Sequence, residues 1–194
     1  SVSAFLLNRS SDLDLIFAYN VAESITLMNV QNENTFILRI PNNKNVPIEN
    51  CAMMFCNCQS FNQNIIIPDK ISNCQSMFEG CSIFDQNILI PTNNANCSSM
   101  FKNCDIFNQN ILIPEGTKDC SYMFSNCNNF NQPIIIPNSV SSCIGMFFGS
   151  NKFNCSITIP DNAYCSSMFA NCEIFNNKII FGNNIKNTYR MFAN

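Results

Sequence analysis

One 23-residue phrase written end to end constrains this chain more than anything else in it. The pair Met-Phe falls at 54/55, 77/78, 100/101, 123/124, 146/147, 168/169 and 191/192, at intervals of 23, 23, 23, 23, 22 and 23. Repetition at such a period marks a unit that cannot bury its apolar face alone and must stack on its neighbours. The sequence therefore predicts a solenoid, with no second independent core in its 194 residues.

Residues 74–97, CQSMFEGCSIFDQNILIPTNNANC, serve as the specimen repeat. Cys74, Met77, Phe78 and Cys81 stand at i, i+3, i+4 and i+7, the spacing of one apolar helical face. The spacing predicts a short helix or helical turn in each repeat. Asn73, Asn96, Asp119 and Ser142 lie just ahead of it and can accept from its free amides, while Gly80, or Asn at 57, 103, 126 and 171, suits a chain reversal behind it. An aromatic follows at Phe61, Phe84, Phe107, Phe130, Phe153 and Phe175, as a wedge between helix and strand. Then comes a β-branched run such as Ile65-Ile66-Ile67 or Ile88-Leu89-Ile90, closed by Pro68, Pro91, Pro114, Pro137 or Pro160. Stacked in register these runs form a parallel sheet with strands ~4.8 Å apart. Helices need up to ~8–10 Å, so the stack is expected to curve with its strands on the concave side. Residues 1–35 break the period and are expected to cap the N-terminus. Residues 36–194 hold about seven turns, the last incomplete. The single deletion falls in a surface loop, since Pro160 to Cys165 is one residue shorter than Pro137 to Cys143.

The phrase Ile-x-Ile-Pro, an aliphatic three positions on, a small or sulfur residue, Phe, and Cys three later resembles the BspA-like leucine-rich repeat, also 23 residues long. The nearest stretch is IPNSVSSCIGMFFGSNKF, residues 136–153, with Phe147 in the family's Ala-Phe slot and Ser150 where its Cys would stand. The Met-Phe-x-x-Cys-x-x-Phe-Asn-Gln segments are also similar to surface-protein repeats of small, AT-rich bacteria. This chain departs from the pattern in its enrichment in Asn over Leu and in an extra residue between Phe61 and Ile65. The resemblance covers about residues 36–194. It implies an α/β solenoid: a right-handed leucine-rich-repeat coil with short parallel strands on the concave side and short helical turns on the convex side. It further implies a recognition or adhesion module that binds a protein or glycan on a cell or virion surface. The alternative is a structural, self-assembling subunit of a phage tail or cell envelope. Either role places the chain outside the cell, at a cell surface or on a virion.

Composition narrows the chemistry. There is no histidine, so neither a Ser-His-Asp nor a Cys-His nucleophile pair can be assembled. Carboxylates such as Asp69, Glu79, Asp85, Asp105, Glu115 and Glu173 form no recurring close pair for hydrolysis. No enzyme activity and no cofactor are expected. Charged residues are 12% of the chain and the net charge is -3, with Lys and Arg scattered singly, so no stripe tracks phosphates and nucleic acid is not an expected partner. No apolar run approaches the ~20 residues that cross a bilayer. The chain begins at Ser1 without an initiator Met, which reads as a piece excised from something longer.

The thirteen cysteines contain no CxxC, and Cys56 and Cys58 are the one close pair, so metal ligation is not expected. A helix would hold cysteines seven apart at ~10 Å, too far for a disulfide within one repeat. Bridges between coils stay open beside the plainer reading, a ladder of buried thiols packed on Phe and Met. Calcium binding through Asp and Asn loops also stays open, although no EF-hand or nonapeptide phrase occurs. Sequons at Asn8, Asn96 and Asn154 are expected by chance in so Asn-rich a chain.

The strand supplies the candidate site. If Ile65 and Ile67 point inward, the outward column reads Ile66, Leu89, Leu112, Ile135, Thr158, Ile180; a one-residue shift exchanges the columns and leaves both apolar. Contiguous exposed apolar surface marks binding or assembly sites. The candidate binding residues are therefore Asn64, Ile66, Asn87, Leu89, Asn110, Leu112, Ile135 and Thr158, with a protein or glycan ligand, or further copies of the chain, as partners.

Overall fold

The i, i+3, i+4, i+7 pattern that reads as a helix is built from overlapping tight turns. In the computed structural model, which describes residues 49–194 and the backbone pair at 36 and 37, residues 74–81 alternate two kinds of amide. Cys74, Ser76, Phe78 and Gly80 donate across to the next repeat, to the carbonyls of Asn96, Ser98, Met100 and Lys102, at 2.8–3.0 Å. Met77, Glu79, Cys81 and Phe84 donate three residues back, to Cys74, Ser76, Phe78 and Cys81, at 3.0–3.2 Å. Every second amide is thus spent between repeats, which an α-helix, donating only along itself to i−4, cannot do. The alternation needs left-handed residues, and they recur in register: Met53, Ser76, Ser99, Tyr122, Gly145, Ser167 and Arg190 in one column, Asn57, Gly80, Asn103, Asn126, Gly149 and Asn171 in another, all with φ between 50° and 76°. Asn and Gly tolerate that region. Gly145 is required there for a second reason, because a Cβ would run into the ring of Tyr122 from the preceding repeat.

The α/β solenoid and the BspA-like leucine-rich-repeat assignment are therefore corrected. Among the described residues there is no helix, and the strands are two or three residues long: β1 (Phe36–Ile37), β2 (Ile65–Ile66), β3 (Ile157–Ile159) and β4 (Ile179–Phe181). β1 pairs with β2 and β3 with β4, both parallel, so two separate two-stranded ladders replace the expected curved sheet. Between them the runs at 88–90, 111–113 and 134–136 keep the alternation of buried and exposed side chains without forming strands. The predicted curvature also loses its cause, because it required a bulky helical layer. The turn side is the tightly bonded side here. What residues 23 apart, or 22 at the deletion, do share is a line of single parallel bridges, Asn50 to Asn73 to Asn96 to Asp119 to Ser142 to Tyr164 to Asn187. The expected N-terminal cap, residues 1–35, lies outside the described residues.

The core between the turns and the aliphatic runs is aromatic. Phe55, Phe78, Phe101, Phe124, Phe147, Phe169 and Phe192 stack at 5.5–5.8 Å between ring centroids. Phe61, Phe84, Phe107, Phe130, Phe153 and Phe175 form a second column at 5.7–6.1 Å. Within a repeat the two rings lie 3.9–4.4 Å apart, nearly coplanar in orientation. Each interior ring therefore meets rings above, below and beside it, an arrangement worth ~0.5–1.5 kcal/mol per pair beyond the area buried.

Asparagine does the same for the polar edge. Asn62 Oδ1 accepts from the amide of Asp85 at 2.9 Å, Asp85 Oδ1 from Asn108 at 2.8 Å, Asn108 from Asn131 and Asn131 from Asn154 at 2.9 Å, and Asn154 from Asn176 at 3.0 Å. A second Asn column, at 50, 73, 96 and 187 with Asp119, closes turns by accepting from the amide two residues on. Phe101→Ala is expected to destabilise the chain by about 3–5 kcal/mol, whereas Leu89→Ala, at an 86% exposed position, shifts the denaturation midpoint little. Equilibrium unfolding in urea measures both.

Candidate functional site

The alternation along each aliphatic run resolves the register. Ile65, Ile67, Ile88, Ile90, Ile111, Ile113, Ile134, Ile136, Ile157 and Ile159 are buried. Between them stand Ile66 at 63% exposure, Leu89 at 86%, Leu112 at 73%, Ile135 at 78% and Ile180 at 49%, with Thr158 exposed in the same line. Asn64, Asn87 and Asn110 are exposed in the column beside them. The structure thus brings all eight candidate residues onto one flank, in two adjacent columns one repeat apart. That flank is neither a continuous sheet nor a concave one.

The column is uneven. Thr158, the one short side chain, sits in a hollow of about 540 Å³ whose lining includes Glu115, Pro133, Ile135, Ser156 and Ile180. Sequence reasoning treated Thr158 as one more member of the series and missed the hollow. The signal was there in the single β-branched hydroxyl among aliphatics.

The cysteines have a structural use that sequence alone did not reveal. Cys81, Cys104 and Cys127 each donate to the carbonyl of the Phe 26 residues earlier, Phe55, Phe78 and Phe101, at 2.9–3.0 Å; Cys172 donates to Phe147 at 2.8 Å. Ser150 takes the same place against Phe124 at 2.5 Å, so the position selects a small side chain with a proton to give. No cysteine among the described residues is joined in a disulfide, and no group of three metal-ligating side chains occurs among them. Desolvation pushes the Cys51 and Cys97 thiols up from 9.0 to about 12 and Cys172 to about 11, and carries Cys74, Cys81, Cys104, Cys120 and Cys127 upward as well. Cys143 and Cys165 share a hydrogen bond that raises the first and lowers the second. Two of the sequons carry structural side chains: Asn96 closes a turn onto Ser98, and Asn154 is a link in the Asn column. Asn8 lies outside the described residues. Glu79 is held by Lys102 at 2.9 Å.

A family profile described as a Mycoplasma protein of unknown function, DUF285, matches residues 24–134 and again 114–194. The chain belongs to that family. The two matches overlap over residues 114–134 and together span most of the chain. No curated protein matches, and no solved structure does. The DUF285 description carries no activity. The leucine-rich-repeat adhesion module, and with it the phage-tail or envelope subunit, falls with the architecture that implied it: among the described residues there is no helical layer and no curved sheet to hold a ligand. No helix among the described residues is long and apolar enough to cross a membrane.

Raised thiol pKa values link to stability with a definite sign. The unfolded chain ionises near pH 9 while the folded chain holds its protons to about 12 at Cys51 and Cys97, so the stabilisation is complete below pH 9 and is lost above it. Each such thiol removes up to about 1.4 kcal/mol per pH unit over that window; denaturation midpoints are expected to be flat from pH 7 to 8.5 and to collapse above 9. Cys104→Ser should retain the midpoint and Cys104→Ala should lose about 1–3 kcal/mol, the cost of an orphaned buried carbonyl.

Proposed function

We propose that the chain is a non-catalytic docking element whose outward aliphatic column receives the apolar face of a protein. The observation that carries this reading is the column itself. Five Ile or Leu side chains, 49–86% exposed, line up over six repeats, interrupted once by Thr158, directly beside buried equivalents of the same type. Aliphatic exposure on that scale marks surface that is covered in use. Nothing of the concave leucine-rich-repeat face is retained in this reading.

A protein partner fits the column better than a glycan does. Sugar rings are gripped by aromatic platforms with convergent polar groups, and the column contains aliphatic side chains and one threonine. The non-catalytic half is supported by composition: without histidine the chain has no imidazole base. The scattered basic residues likewise favour a protein over nucleic acid.

Leu89 and Leu112 together stand for about 3–6 kcal/mol of gross burial. Leu89→Lys with Leu112→Lys is therefore expected to weaken the complex at least ~100-fold while leaving the midpoint of thermal unfolding in place, since neither side chain touches the core. Native-extract size exclusion tests it: the wild-type chain runs above its monomer mass of 21.9 kDa and the double variant runs at it. Wild type eluting as a monomer, or a double variant still in complex, ends the proposal.

A further inference from the structure

We infer that the partner on this flank is a second copy of the chain, packed antiparallel about a two-fold axis that runs along the strand direction between Leu112 and Ile135. This rests on the docking reading above and deepens it. The first argument is pitch. The column repeats once per coil, and equivalent rings one coil apart stand 5.5–5.8 Å from each other, short of the ~6.7 Å between same-face side chains of an extended strand. A second copy repeats at the same spacing whatever its value, so its side chains stay in step along the whole column.

The second argument is relief. The two-fold exchanges Ile66 with Ile180, Leu112 with Ile135, and Leu89 with Thr158. Leu89, the most exposed side chain of the column at 86%, then enters the hollow that Thr158 leaves between Ile135 and Ile180. The parallel alternative sets Leu89 on Leu89 and Thr158 on Thr158, bump on bump and hollow on hollow.

Charge and area agree with the antiparallel choice. Along the edge that follows each aliphatic run, Asp69 faces Asn183, Glu115 faces Asn138 and Asp161 faces Thr92, so each carboxylate meets a neutral side chain able to donate a hydrogen bond. On the other edge Lys178 faces Asn64. No like charges are opposed. Fully covered, the outward side chains would contribute on the order of 700 Å² per copy, which for the pair reaches the ~1,200–2,000 Å² of stable interfaces.

Sedimentation equilibrium of the purified 194-residue chain gives the mass, and thiol trapping gives the register. In a Cys155→Ser background, which removes the one half-exposed cysteine among the described residues, Leu89→Cys and Thr158→Cys variants are treated with a short bis-maleimide, each end of which adds one thiol across its double bond, because faces packed on one another stand ~10 Å apart and a direct disulfide needs less than ~7 Å. The expected result is a dimer mass, a covalent dimer from the mixed variants, and none from either variant alone. Leu89→Cys linking to itself overturns the antiparallel register. A purified monomer at all concentrations overturns self-pairing, and the docking reading then stands or falls separately on the extract experiment.

Discussion

The hydrogen bonds that run from the turns of one repeat to the turns of the next are what the rest of the molecule depends on. They take every second amide of residues 74–80 and commit it to the following repeat. The other amides close the turns themselves. Because both sets are satisfied at once, the side chains at Cys74, Met77, Phe78 and Cys81 are driven inward together and held at a fixed height. The stacked rings, the thiol-to-carbonyl bonds and the Asn columns follow from that fixed height. A Phe can lie on a Phe 5.7 Å away only if the backbones that carry them keep the same spacing.

Much of this was legible in the sequence. The period, the inward set of Cys, Met and Phe, the place of the deletion and the two alternating columns of each aliphatic run can all be read from spacing alone. The deletion in the loop after Pro160 leaves Ala163 buried and Tyr164 bridged to Ser142, so the shortened repeat rejoins its neighbours at once. That these segments are turns and not a helix was not legible, and the reason is physical. A run of overlapping turns with inward residues at i, i+3, i+4 and i+7 writes the same hydrophobic pattern as one helical face. The distinguishing sign was at the outward positions, where Asn57, Gly80, Asn103 and Gly149 recur and sit in the left-handed region. Asn or Gly in mid-helix at every repeat is costly, whereas in a turn it is favourable.

The candidate site shows the same division. Which residues line the flank followed from period-two alternation within each run, and exposure settles which of two apolar columns faces out. The hollow at Thr158 depends on what its neighbours leave uncovered, and no periodicity encodes that. Spacing left the cysteines either bridged between coils or packed as buried thiols, and their bonds to the Phe carbonyls depend on contact between residues 26 apart, which spacing does not encode. Ser150 makes the point chemically: the one repeat without a sulfur there keeps a proton donor on the same carbonyl column.

The line of single bridges from Asn50 to Asn187 has a mechanical consequence. Each repeat is tied to its two neighbours alone, so a pull on the two ends loads the bonds between levels one after another instead of all together. Every level that gives way releases one repeat of slack, roughly 75–80 Å of extended chain, and leaves the next level intact. Under tension the molecule pays out its length in equal steps, like a tape with evenly spaced stitches.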